Sequence, residues 1–277
     1  MWRKDIDSII EAALREDMPQ GDITSESIIP MDSISRVIIL AKEEGILAGI
    51  YVAERVYKII DTSVFFEKHF EDGKRIKKGD KIAALEGPSI SILKGERTAL
   101  NFIQMLSGIA TATQKYVEAM QGTRTKVLDT RKTTPGLRIL EKYAVKMGGG
   151  KNHRLNLSEM VLIKDNHLKI VGSISEAVKS ARRRVKRGIK IEVETSNLDE
   201  VKEAFQGGAD MIMLDNMSLR KMKEAVQWVK GRVILEVSGN INLHRAKQIA
   251  ALGVDFISVG SLTHSNKSLD ISMEFLD

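Results

Sequence analysis

The sequence predicts an α/β protein: an α/β barrel with fewer than eight standard repeats, preceded by a small α+β unit. Three observations carry this. After Gly122 short apolar runs alternate with helical stretches, and from Ile189 onward the runs recur about every 22 residues, a β/α unit length that implies a parallel sheet with right-handed crossovers. Between Ser35 and Glu86 the runs RVIILA, ILAG, VFFEKHF and KIAALEG are broken by Gly, Asp and Lys turns, with one helical stretch over 50–60. Six polar patches close apolar runs: DTRK (Asp129 to Lys132), HR (His153, Arg154), LIKDNH (Leu162 to His167), EVE (Glu192 to Glu194), LDN (Leu214 to Asn216) and EVSGN (Glu236 to Asn240). The carboxyl ends of strands are where α/β barrels assemble active sites.

With 277 residues and 43% apolar content the chain can bury a full core, as one large domain or as one large and one small. The balance of 43 Lys+Arg against 37 Asp+Glu, net +6 with a pI near 9.3, favours anionic ligands, but the charge is spread without long single-sign tails. The absence of Cys excludes a disulfide framework, a thiolate zinc site and a cysteine nucleophile. No apolar run approaches the roughly 18 to 20 residues that span a bilayer. The cytoplasm is therefore the expected location.

Taken in order, the elements begin with Ile6, Ile9, Ile10, Ala13 and Leu14 at helical spacing, an amphipathic helix with interleaved acids rather than a targeting segment. After the α+β unit a long helix is expected over 90–120, with Ile90, Leu93, Leu100, Ile103, Leu106 and Ile109 near one face and Gly108 as a bend. The strands KVLD, MVLIK, IKIEVE, DMIML, VILEVS and DFISVG follow, with helices from Leu137, Ser173, Asn197, Ser218 and Asn242 between them. Ser173 with Glu176 fits a capping box strictly, Asn197 with Glu200 loosely. Gly188, Gly208, Gly231 and Gly253 fall where helices should stop. Apolar strands buried on both faces suit a barrel or an open doubly wound sheet. Gly-x-Gly-x-x-Gly and the P-loop signature are both absent, since GGGKN at Gly148 lacks the spacing and follows no strand. The barrel is favoured.

In a barrel, Arg131, Lys132, His153, Arg154 and Lys164 project toward one mouth, where bidentate Arg and point-charge Lys suit carboxylates and phosphates. A rim of solvated charges is the bland alternative for any one of them. Glu194 and Asp215 end consecutive repeats and suit Mg²⁺, held through water and substrate phosphates; structural ion pairing is the competing role. Ser238-Gly239-Asn240 and Val259-Gly260-Ser261 precede polar turns of the kind that bind phosphate late in such barrels. His69 and His244 lack companions at metal-ligand spacing, the Arg182 to Arg187 run reads as a solvated helix face, and the twelve Met read as core filler.

These motifs together resemble the quinolinate phosphoribosyltransferase family. The resemblance runs over nearly the whole chain: EDMPQGDIT near Glu16, KGERTALNFIQMLSGIAT from Lys94, DTRKTTPGLRILEKYAV from Asp129, GGGKNHRLNL from Gly148, then LIKDNH, EVE, LDN, EVSGN and SVGSLTHS. It implies an N-terminal α/β sandwich domain over 1–105, to which 265–277 returns, and an incomplete, seven-stranded type of α/β barrel over 106–264. It implies catalysis by Glu194, Asp215, Lys132 and Lys164. Quinolinate and phosphoribosyl pyrophosphate would be bound by Thr130, Arg131, Lys132, His153, Arg154, Lys164, Glu194 and Asp215, with Arg97 reaching the neighbouring subunit's quinolinate. Ser238, Gly239, Asn240, Val259, Gly260, Ser261 and His264 would cradle phosphate, Asn240 standing where many members have a second glycine. Glu194 and Asp215 would hold Mg²⁺, directly or through water, with no organic cofactor. The implied product is nicotinate mononucleotide, in de novo NAD biosynthesis. The implied assembly is a homodimer with shared active sites, or a trimer of such dimers, with no nucleic-acid or membrane partner.

Two other classes compete. The pI and the Arg182 to Arg187 cluster fit a nucleic-acid binder, but 5% aromatic content offers few stacking platforms. The DGKRIKKGDKIAALEG stretch resembles a lipoyl-type carrier, yet Lys94 falls in an expected helix rather than at a hairpin tip.

Overall fold

The computed structural model describes residues 2–276. In chain order the elements are α1 (Trp2–Asp17), α2 (Ile23–Ile28), β1 (Ile34–Ala41), β2 (Gly45–Ile46), α3 (Ile50–Ile60), β3 (Phe65–Lys68), β4 (Arg75–Ile76), β5 (Lys81–Pro88), α4 (Ser89–Ala119), β6 (Lys126–Leu128), α5 (Arg138–Met147), β7 (Val161–Ile163), α6 (Asp165–Val171), α7 (Ile174–Arg184), β8 (Ile191–Thr195), α8 (Leu198–Gly207), β9 (Met211–Asp215), α9 (Leu219–Val229), β10 (Ile234–Ser238), α10 (Leu243–Ala250), β11 (Phe256–Ser258), α11 (Ser261–His264) and β12 (Ile271–Leu276). They divide into two units. One comprises Met1–Gln114, Thr133–Gly149 and Leu262–Asp277, the other Lys115–Lys132 and Gly150–Ser261. A boundary at 105/106 would fall inside the continuous helix α4.

The first unit is built on an antiparallel sheet ordered β12-β1-β5-β3. The C-terminal strand β12 pairs with β1 (Val37↔Phe275, Ile39↔Met273), so the two ends of the chain share one sheet. Helix α3 buries Val52, Ala53, Val56 and Tyr57, and α1 buries Ile6, Ile10 and Leu14 at four-residue spacing. An Arg55 fork on Asp7, at 2.7 and 2.8 Å, ties these two helices. Gly108 does not bend α4. A Cβ there would lie 2.1 Å from the Lys267 carbonyl oxygen, so the glycine admits a close backbone approach while the helix runs on unbroken.

The second unit is a parallel sheet ordered β6-β11-β10-β9-β8-β7. It has six strands where the family resemblance implies seven. The missing place is marked by a single bridge, Leu128↔Lys151, beside β6. The run stops there because the chain turns inward: the His153 N–H donates to Asp129 Oδ1 at 2.9 Å instead of extending a ladder. Among the described residues no ladder joins β7 to the opposite edge, so the barrel is open. It is nevertheless strongly curled. Flat strands about 4.8 Å apart would put β8 some 24 Å from the Lys151 edge, yet His153 Nε2 lies 2.9 Å from Glu192 Oε2 on β8 and 3.5 Å from Glu236 Oε2 on β10.

Caps at the helix starts follow the sequence closely. Ser173 accepts from the Glu176 N–H at 3.2 Å and Asn197 from the Glu200 N–H at 3.0 Å. Glu200 also accepts from the Ser196 N–H at 2.6 Å, so the looser sequence match makes the denser cap. Helix ends follow less well. Only Gly208 is itself a left-handed cap; α9 stops on Lys230 at φ 50, and Gly188, Gly231 and Gly253 lie one to three residues further on, in the turns to the next strand. Helix α6 begins one residue after β7 and is invisible to periodicity, because its seven residues bury nothing and Ile170 is 87% exposed.

Candidate active site

Strand register lays the site out in rows. In parallel strands, paired residues point to one face, and residues two apart share it. Glu194 pairs with Met213 and Met213 with Glu236, giving one row; Asp215 pairs with Ser238, giving the next row toward the carboxyl ends. Glu192 is two residues before Glu194 and lies on the same face. The other face carries Val193, Ile212, Leu214, Leu235, Val237 and Ile257, all buried. The strands are thus aliphatic outward and functional inward, an alternation that the expectation of apolar burial on both faces overlooks.

At the carboxyl end, Lys164 Nζ lies 3.2 Å from Glu194 Oε2, with both side chains partly open to solvent. Asn216 Nδ2 donates to Asp215 Oδ2 at 2.8 Å, and Asn216 Oδ1 accepts from Asn240 Nδ2 at 3.2 Å. Thr130 Oγ1 accepts from the Lys132 N–H at 3.0 Å. The Arg154 guanidinium donates to the Met160 carbonyl at 2.8 Å and is pushed below its ordinary value by burial and then by the neighbouring Arg131. Val259 is buried and its N–H donates to Leu128 O at 2.9 Å, which commits that amide to the sheet edge.

Arg131, Lys132, His153, Arg154, Lys164, Glu194, Asp215 and the turns 238–240 and 259–261 all fall in the second unit. Arg97 and His264 fall in the first. Arg97 is exposed on α4 between buried Gly95 and Thr98, and His264 is exposed, with Nδ1 2.6 Å from Ser265 Oγ.

Two carboxyl groups that sequence reasoning did not single out lie beneath this rim. Glu192 and Glu236 are fully buried and converge on His153. One signal could have found them: each sits two residues before an expected site residue, Glu194 and Ser238, and so on the same strand face. Burial pushes Glu236 up to about 8, with Glu192 as the next cause, and burial pushes Glu192 up to about 7. His153, Glu192 and Glu236 offer ligand atoms within 4.8 Å of one another, a spacing that a metal ion could bridge. The imidazole argues otherwise. His153 Nδ1 accepts the Arg154 N–H at 2.8 Å, so the ring proton must be on Nε2, the nitrogen facing the carboxyl groups. A metal would need that nitrogen bare. Glu194 and Asp215 are partly exposed oxygen donors on adjacent strands, the donor type that a hard cation takes.

An incomplete α/β barrel with cations and carboxylates gathered at its carboxyl-end rim defines an enzyme acting on polyanionic substrates. Comparison with known proteins narrows the class. The family models for the N-terminal and C-terminal domains of quinolinate phosphoribosyl transferase match residues 22–107 and 109–274. A probable nicotinate-nucleotide pyrophosphorylase [carboxylating] of Bacillus subtilis is 45% identical over 94% of this chain and 89% of its own length. The solved structure of NadC from Streptococcus pyogenes superposes with a TM-score of 0.94 at 46% identity, covering 98% of this chain and 97% of that one. The nicotinate-nucleotide pyrophosphorylase of Francisella tularensis gives 0.95 at 41%, covering 99% and 96%. The chain belongs to the quinolinate phosphoribosyltransferase family. No described helix is long and apolar enough to cross a membrane.

Proposed function

We propose that this chain joins quinolinate to phosphoribosyl pyrophosphate, forming nicotinate mononucleotide and releasing pyrophosphate and carbon dioxide, in the cytoplasmic synthesis of NAD. The observation that carries this reading is one sheet face on which Lys164 meets Glu194 while Asp215 sits one row above, beside the 238–240 turn. Like charges about 4 Å apart repel by roughly 4 kcal/mol at an effective dielectric near 20, so two polyanions meet only in a cationic lining. Arg131, Arg154, Lys132 and Lys164 supply it, with Thr130 orienting the Asp129 to Lys132 turn. Glu194 and Asp215 stabilise positive charge at the ribosyl carbon as pyrophosphate leaves. Ser238 to Asn240, Gly260, Ser261 and His264 hold the 5′-phosphate.

No covalent nucleophile or strong base is needed. The pyridine nitrogen has its own lone pair, and once ribosylated it accepts the electrons released by loss of the 2-carboxylate, so the site orients its substrates and stabilises charge. Mg²⁺, held by Glu194 and Asp215 directly or through water, would neutralise the leaving pyrophosphate; no organic cofactor enters. Exposed Arg97 completes the site of a second subunit in a homodimer. The division into 1–105 with 265–277, and 106–264, belongs to the same reading.

The test is incubation of the purified protein with phosphoribosyl pyrophosphate, Mg²⁺ and either quinolinate or nicotinate. Nicotinate mononucleotide with carbon dioxide from the diacid alone is expected. Turnover of nicotinate instead, or salt-sensitive RNA binding without turnover, would reject the reading.

A further inference from the structure

The excess positive charge of this chain is concentrated in one segment. Between Glu176 and Glu192 there is no acidic residue, and the twelve residues 179–190 include seven Lys and Arg. Those seven exceed the net charge of +6, so the rest of the chain is, on balance, slightly acidic. The segment is the end of α7 and the turn that leads into β8.

Arg182 alone among the seven is engaged within the protein. Its guanidinium donates to Ile189 O at 3.3 Å, Gly208 O at 3.1 Å and Asp210 Oδ2 at 2.7 Å, which pins the 185–190 turn to the turn before β9. Lys179, Arg183, Arg184, Lys186, Arg187 and Lys190 are exposed and make no ion pair among the described residues. The helix macrodipole favours cations in a last turn, which accounts for Arg183 and Arg184. Lys186, Arg187 and Lys190 follow the helix and gain little from it. Unpaired like charges held this close repel one another, so the cluster does not serve the stability of the fold.

The segment lies at the amino end of the parallel sheet, opposite the strand ends that carry Lys164, Glu194 and Asp215. Neighbouring turns add charge of the same sign: Lys230 and Arg232 precede β10 and Arg124 precedes β6, all three exposed. Two acids at this end are held by the sheet. Asp210 Oδ2 accepts the Ile191 N–H at 2.7 Å and Asp255 Oδ2 the Leu235 N–H at 2.9 Å.

The chemistry of this surface selects its occupant. From residue 172 to residue 242 no large apolar side chain is exposed, so the apolar anchors that hold a protein partner or enter a membrane are missing. The Arg232 guanidinium covers Phe205 and Trp228 at 4.7 and 5.1 Å, taking the place that an unstacked base would need. What remains is a set of unpaired donors, suited to the dense line of phosphates on a duplex. Apart from half-buried Ser180, residues 177–191 offer no side-chain acceptor to the 2′-hydroxyls of RNA.

We propose that the end of α7 and the turn to β8 form a second binding surface, which holds the phosphate backbone of duplex DNA without reading its sequence. The surface is independent of the function proposed above and lies at the other end of the strands.

Anisotropy of a short labelled DNA duplex with the full-length protein tests it. Affinity should fall at least about a hundredfold between about 50 and 200 mM salt, the mark of roughly four to six phosphate contacts. The combined variant Arg183→Gln, Arg184→Gln, Lys186→Gln, Arg187→Gln should bind at least about tenfold more weakly, with the salt slope flattened by about 3. Its melting temperature and its turnover should match those of the parent. Lys74→Gln, Lys77→Gln, Lys78→Gln, Lys81→Gln removes as much exposed charge from the first unit and should leave the slope unchanged. No binding at about 50 mM salt, or equal losses in both variants, would overturn the proposal. Tighter binding to an RNA duplex of the same sequence, to polyglutamate or to phosphatidylserine vesicles would overturn it as well. DNA binding without turnover of quinolinate would reject the enzymatic reading and leave this surface standing.

Discussion

Gly239 lies directly against Asn216: a Cβ on Gly239 would come within 2.1 Å of Asn216 Oδ1. Gly239 also adopts φ +96, and Asn216 and Asn240 are left-handed at φ 51 and 49, so the ends of β9 and β10 meet in a strained knot whose side chains hold Asp215. Gly239→Ala should destabilise the fold by about 1 to 2 kcal/mol, since an alanine is strained at φ +96 even when the exposed Asn216 amide turns aside. Thermal unfolding beside binding of inorganic phosphate would check this; an unchanged midpoint with normal phosphate binding would contradict it.

Asn216→Gly keeps the left-handed backbone but removes the amide that fixes Asp215. Turnover should fall by about tenfold, the worth of one hydrogen bond to a charged group, while the unfolding midpoint barely moves. Asp215→Asn and Glu194→Gln should cut turnover further and leave quinolinate affinity largely intact. Steady-state kinetics with calorimetric titration of quinolinate separates the two effects, and full turnover in both carboxylate variants would remove them from the chemistry.

Lys164→Met breaks an ion pair whose partners are 46% and 18% exposed. Exposed pairs contribute about 1 kcal/mol or less, so stability should be nearly unchanged. Quinolinate KM should rise roughly tenfold. A large loss of stability with an unchanged KM would instead make the pair structural.

The buried acid pair also predicts how stability depends on pH. Glu236 is raised from 4.5 to about 8 in the folded chain, so between those values the native state holds a proton that the unfolded state has released. Its contribution is full below about pH 4.5 and is lost as pH climbs through the folded value, by up to about 1.4 kcal/mol per pH unit. Glu236→Gln should therefore flatten the fall in melting temperature between about pH 6 and pH 8.5. Parallel slopes in the two proteins would show that Glu236 does not carry that proton.

The proposed sharing of sites between subunits has its own readout. Arg97→Ala and Arg154→Ala, each weak alone, should recover activity when mixed and allowed to exchange, because about one site in two of a heterodimer is then intact. Isolated heterodimers with no recovery would place Arg97 outside the site.

Much of this protein was legible before its structure. Repeat length after Ile189, cap residues such as Ser173 and Asn197, and the charged motifs from Asp129 to Asn240 are local properties, written in spacing that backbone geometry enforces, and they sufficed for the fold class and the family. What the linear order could not decide was depth. Glu192 and Glu236 look like any strand acids until the sheet curls, and Gly108 looks like a bend until 267–268 is laid against it. Each of those roles depends on a neighbour distant in the chain, and only tertiary packing brings that neighbour into contact.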